Sequence, residues 1–137
     1  MGIVRFGVSI DEELLSRFDE EIVRRGYANR SEAIRDLIRE RLVREEWRAG
    51  QEVVGVITLV YDHHVRELES KITDIQHDHH SKVLSAMHIH LDHDNCLEII
   101  AVKGEGAEIA ELAAKLIGLK GVRHGRLTAT TTGKDLV

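Results

Sequence analysis

The chain has 137 residues, 42% hydrophobic and 31% charged, enough for one ordinary domain or two small ones and too few for a large multidomain enzyme. A net charge of -5 argues against indiscriminate nucleic-acid binding through a basic surface, and a single cysteine excludes an intrachain disulfide. With no apolar run of the roughly 18 residues that span a membrane and no signal-like leader, the expectation is a soluble, untargeted protein of the reducing cytoplasm, with no membrane partner.

Along residues 3–10, Val4, Phe6, Val8 and Ile10 share one face and Arg5, Gly7 and Ser9 the other, the period of a half-buried strand. Ser9 and Glu12 stand at capping-box spacing, and Leu14, Phe18 and Ile22 recur every four residues until Gly26, predicting an amphipathic helix. Asn29, Arg30, Ser31 and Glu32 repeat the start signal, and Ala33, Ile34, Leu37, Ile38 and Leu42 continue a second helix to about Trp47. A unit of about 48 residues with one strand cannot bury that strand's apolar face or satisfy its edges alone, so a dimer is expected. Two strands paired antiparallel would make a ribbon over four helices, with Arg5, Gly7 and Ser9 on the exposed side, and such a ribbon fits the DNA major groove.

Residues 49–52 read as a polar linker between a first domain, 1–48, and a second, 53–137. In the second domain residues 53–60 form a β-branched strand, and Val65, Leu68, Ile72 and Ile75 take helical spacing. Strands follow over 83–91 and 96–102, joined by a turn-rich tip. Ile109, Leu112, Ala113 and Leu116 mark a helix ending near Gly118 or Gly121, before a last strand over 122–131. The order β-α-β-β-α-β is the split ferredoxin-like arrangement, so the fold class is α+β, and its bare sheet face is expected to seek another subunit.

Eight of the nine histidines fall between His63 and His93. Alternation along 83–91 puts Val83, Ser85, Met87, Ile89 and Leu91 on one face and His88 and His90 together on the other. Cys96 joins them only if the hairpin pairs residue 90 with 96, with a tip at Asp92, His93 and Asp94; a tip at His93 and Asp94 would pair Cys96 with Leu91. His77, at the end of its helix and turned from the Leu68, Ile72 and Ile75 stripe, is the candidate fourth ligand, from its own subunit or a neighbour. Three nitrogens and a sulfur exclude Mg²⁺ and Ca²⁺ and leave Zn²⁺, Cu²⁺ or Ni²⁺. Four protein donors close the site against a catalytic water, which argues against an enzyme. Read singly, such a His-x-His is more often a polar stripe and a buried Cys a small hydrophobe, and His63, His64, His79, His80 and His93 are expected to be exposed and at most weak ligands.

The first strand with residues 25–36 resembles ribbon-helix-helix repressors, and residues 88–98 with 121–125 are similar to the nickel-responsive transcriptional regulators, over nearly the whole chain. That resemblance implies ACT-like C-terminal domains forming the core of a homotetramer, a dimer of dimers whose end modules each reach half of a palindromic double-stranded operator. It implies one planar Ni²⁺ per subunit, held by His88, His90 and Cys96 of one chain and His77 of another, and repression of nickel-uptake genes. The family's base-reading positions fall on Arg5, Gly7 and Ser9, where Gly7 replaces the commoner hydroxyl residue. Glu32 and Asp36 correspond to a pair that helps hold a second cation in the DNA-bound state; the plainer reading is a solvated face. Residues 1–48 carry ten Arg, no Lys and eleven acidic residues, so DNA affinity rests on a few placed groups such as Arg5 and the helix start at Asn29. Two rivals stand beside this: a metal storage or delivery protein with a histidine reservoir, and a ribbon-helix-helix regulator sensing another ligand.

Overall fold

The computed structural model describes residues 2–137. They divide into two compact units, one ending at Arg41 and the other Leu42–Val137. Among the described residues, no helix is long and apolar enough to cross a membrane.

In the first unit, helix α1 (Glu12–Arg24) is capped by Asp11 rather than by Ser9, because the Asp11 carboxylate accepts from the backbone N–H groups of Glu13 (2.9 Å) and Leu14 (3.2 Å). A charged acceptor at a helix N-terminus also meets the positive end of the dipole, which favours it over a hydroxyl two residues earlier. Gly26, at φ +77°, ends the helix as expected: Tyr27 N–H donates back to Ile22 O, a closure that needs a left-handed residue between them. Asn29 Oδ1 accepts from Glu32 N–H at 2.9 Å and starts α2 (Arg30–Arg48). Arg30 then grips the Asp19 carboxylate through two hydrogen bonds of 2.8 Å, tying α2 to α1. The strand expected over residues 3–10 is not formed within one chain, since its predicted backbone partners belong to a second copy. Ile3, Val4, Phe6, Val8 and Ile10 are exposed, as are Leu14, Leu37 and Ile38.

The second unit comprises β1 (Glu52–Asp62), α3 (Leu68–Asp78), β2 (Val83–His90), β3 (Asn95–Glu105), α4 (Gly106–Ile117) and β4 (Val122–Thr130), in an antiparallel sheet ordered β2-β3-β1-β4. The last turns of α2 belong to this unit: the Trp47 indole donates to Thr130 O at 2.8 Å, and a Cβ on Gly106 would stand 2.7 Å from Trp47 O. In β1, Val53, Gly55, Ile57, Leu59 and Tyr61 are buried and their neighbours half-buried; β3 alternates in phase, with Cys96, Glu98, Ile100 and Val102 inward. Leu68 and Ile72 of α3 and Ile109, Leu112 and Leu116 of α4 complete the core on that face. Neither helix covers the opposite face. Two local readings change. A bulge between Val83 and Ser85 places Val83 opposite Val102 and against the core, away from the face of Ser85 and Met87. Helix α3 begins at Leu68 rather than near residue 65, because Glu67 is left-handed (φ 67°) and interrupts the helix there.

Candidate functional site

The hairpin register pairs His90 with Cys96 and His88 with Glu98, and Leu91 N–H donates to Asn95 O at 3.0 Å, leaving Asp92, His93 and Asp94 at the tip. Of the two registers open to the sequence, this one puts the histidines and the cysteine on a single face. Cys96 Sγ lies 3.5 Å from His90 Nδ1, and the His88 and His90 rings are 5.3 Å apart between centroids. Cys96 is fully buried while both histidines are exposed. A buried sulfur beneath imidazoles open to solvent gives an arriving cation soft donors at the floor and an approach from outside.

Side chains around the pair fix it. His88 Nδ1 lies 3.2 Å from Glu98 Oε2 and 3.1 Å from the Tyr61 hydroxyl, and Glu98 Oε1 accepts from Gln76 Nε2 at 3.1 Å. A carboxylate accepts from a protonated Nδ1, so this contact favours the tautomer in which Nε2 of His88 is the free metal donor. Burial pushes the Cys96 thiol up, helped by the charges of Glu69, Asp92 and Glu98. Tyr61 is raised as well, by burial first and then by Glu69 and Glu98, and stays a neutral phenol. A metal ion at Cys96 must therefore displace a proton, which a soft divalent transition ion can do and Mg²⁺ or Ca²⁺ cannot. The donor set fits nickel.

Among the described residues, the three groups of donor atoms within 4.8 Å of one another are His63, His90 and Cys96; His64, His93 and Asp94; and Glu69, His88 and Cys96. His77 is in none of them. It lies exposed at the end of α3, its ring 6.2 Å from that of His80. His63 departs from the expectation of an exposed bystander: it is half-buried, with Nδ1 3.8 Å from Cys96 Sγ. His79 is half-buried too, with Nδ1 2.8 Å from Ile75 O. Sequence reasoning missed Tyr61, Gln76 and the proximity of His63, because each depends on contacts between segments far apart in sequence. Tyr61 faces Cys96 across β1 and β3, and His63 N–H is held by Asp94 O at 3.0 Å. The inward phase of β1 marks Tyr61 as a buried polar tip, the one available signal. Asp92 at the hairpin tip is a turn former: its Oδ1 accepts from Asp94 and Asn95 N–H, and these bonds hold its carboxyl below the usual range.

The candidate DNA-facing residues Arg5, Gly7 and Ser9 are all exposed, and a Cβ on Gly7 would meet nothing within 4 Å. Asn29 serves as the α2 cap. Of the candidate second-cation pair, Asp36 accepts from the Tyr27 hydroxyl at 2.8 Å and from Arg39 at 3.2 Å.

Residues 54–130 match the family of the NikR C-terminal nickel-binding domain, and residues 4–45 match the ribbon-helix-helix proteins of the copG family. Among similar proteins, ones from Geobacter sulfurreducens (59% identical) and Geotalea uraniireducens (57%) are matched over 97% of this chain and 96% of their own length. One from Pyrococcus furiosus is 53% identical over the whole of both chains. Each is described as a candidate nickel-responsive regulator. An uncharacterized protein from Thermotoga maritima superposes with a TM-score of 0.53 over 59% of this chain and all of its own at 15% identity, a likeness of fold alone.

Proposed function

Because the chain belongs to the nickel-responsive regulators, a family of transcription regulators and not enzymes, we propose that it is a repressor that binds a palindromic operator when Ni²⁺ is held, and that it controls nickel uptake. His88, His90 and Cys96 of one subunit, with His77 of the partner subunit, form the proposed His₃Cys site, one per subunit. The bound ion supplies a cross-link between α3 of one subunit and the β2–β3 hairpin of another. The observation that carries this reading is the register that seats His88 and His90 over a buried Cys96 while His77 stands apart and exposed. A donor that its own chain leaves outside the site is available to a neighbour.

In this reading the bare sheet faces assemble the centre of a homotetramer, a dimer of dimers, and residues 3–10 of paired chains form the ribbon. Arg5 and Ser9 then meet base edges in the major groove, Gly7 leaves its position without a side chain, and the N-terminus of α2 at Asn29 faces the phosphate backbone. Gln76 joins α3 to the metal-facing strands through Glu98, so ordering of the site also orders the helix that carries His77. The gain comes from a higher affinity of the metal for the DNA-competent arrangement than for the rest. A second cation at Glu32 and Asp36 belongs to the DNA-bound form, where it must share Asp36 with Tyr27 and Arg39.

Selection from a random duplex pool with and without Ni²⁺ tests the function. A palindrome enriched only with Ni²⁺, bound more weakly by Arg5→Ala at undiminished nickel affinity, is the expected result. Several labile metal equivalents with no DNA response would favour the storage reading, and an undiminished DNA response in Cys96→Ala would favour a regulator sensing another ligand.

A further inference from the structure

The division between the two units falls inside α2, after Arg41, and the end of that helix is built into the second unit. Trp47, the sole tryptophan, fastens it there. Its indole N–H donates to Thr130 O at 2.8 Å, at the end of β4. Its ring lies over two glycines: a Cβ on Gly55 in β1 would stand 3.3 Å from Cη2, and one on Gly106 at the start of α4 would stand 3.1 Å from Cε3 and 2.7 Å from the Trp47 carbonyl oxygen. A side chain at either position would crowd the indole, so both glycines are needed to make the slot. The helix is closed immediately afterwards. Ala49 N–H donates to Glu45 O at 2.8 Å and Gln51 N–H to Glu46 O at 3.2 Å, with Gly50 left-handed at φ +76°. Strand β1 then starts at Glu52, paired with Glu105, so residues 49–51 leave little slack between helix and sheet.

The same strand joins this slot to the metal-facing residues. Gly55, Ile57, Leu59 and Tyr61 follow one another on the buried face of β1, and the Tyr61 hydroxyl stands 3.1 Å from His88 Nδ1. A close-packed strand passes on a displacement at one end rather than absorbing it. We propose that Trp47 is a positioning residue: seated against Gly55, Gly106 and Thr130, it makes the end of α2 follow the sheet, and the gain in DNA affinity on nickel binding depends on that seat. The inference rests on the nickel-regulator reading and adds to it the residue through which metal and DNA binding are joined.

The test compares wild type, Gly106→Ala and Trp47→Leu as full-length proteins. Affinity for the palindrome selected from the random duplex pool is measured with and without Ni²⁺, and nickel affinity and the sulfur-to-nickel absorption are recorded alongside. Both variants are expected to keep wild-type nickel affinity and absorption while losing about tenfold of the nickel-dependent gain in DNA affinity. Gly106→Ala leaves Trp47 in place, and the fluorescence of that single indole should become more open to quenching by acrylamide than in wild type. A gain retained in both variants, a loss of nickel affinity that matches the loss of DNA affinity, or wild-type fluorescence quenched as freely in the folded chain as in denaturant would overturn the proposal. A wild type with no nickel-dependent gain at all would overturn the regulator reading itself, and this inference with it.

Discussion

At the level of single residues, the metal-facing strand depends on a carboxylate that is not itself one of the proposed ligands. Glu98 is only 8% exposed, reaches His88 Nδ1 with one oxygen and takes Gln76 with the other. Replacing it by Gln offers the imidazole an amide that can donate, which stabilises the opposite tautomer and the wrong nitrogen for the metal. Glu98→Gln is therefore expected to lower nickel affinity about 10- to 100-fold with the fold intact, as measured by competition with a chelator of known affinity. Cys96 gives a pH dependence with a definite sign. Its thiol is raised by burial, so the metal-free protein keeps the proton at neutral pH and binding releases it. Nickel affinity should thus rise with pH by up to about tenfold per unit on account of this group, and level off once the thiol ionises unaided. A calorimetric titration in buffers of different ionisation enthalpy reads the released proton directly.

Individual elements show how far local pattern reaches. The shared face of His88 and His90 was legible because strand alternation is a property of the backbone, whereas their meeting with Cys96 depended on a choice between hairpin registers that the Asp92, His93 and Asp94 tip decides. The same alternation misplaced Val83, since a bulge is invisible to a two-residue period. The capping-box spacing of Ser9 and Glu12 predicted a cap at Ser9, whereas the structure caps helix α1 with Asp11. Asp11→Ala should cost about 1 kcal/mol in thermal or denaturant unfolding, with Ser9→Ala nearly neutral. Equal losses from the two substitutions would restore the capping box. The β-α-β-β-α-β succession and its split ferredoxin-like arrangement were legible in the sequence, but the meeting of Tyr61, Gln76 and His63 with the site was not, because those contacts are between elements far apart in sequence.

On the scale of the whole molecule, what one chain leaves unfinished is informative. The first unit exposes the apolar face of residues 3–10, and the second exposes His77 away from the donors that the hairpin collects. Composition could announce neither, and both follow from asking which faces a single copy can bury. In the proposed reading each is completed by another subunit, which makes assembly a condition for holding metal and for reading DNA. That central claim is tested most directly by recording the sulfur-to-nickel absorption of mixed assemblies co-expressed from His77→Ala and Cys96→Ala chains. Each variant alone should lack the intact His₃Cys site and its wild-type band, while the mixture should regain part of it, because His77 from the Cys96→Ala chain meets His88, His90 and Cys96 of the His77→Ala chain. A mixture as silent as the variants alone, or a full band in His77→Ala alone, would contradict a site shared between subunits.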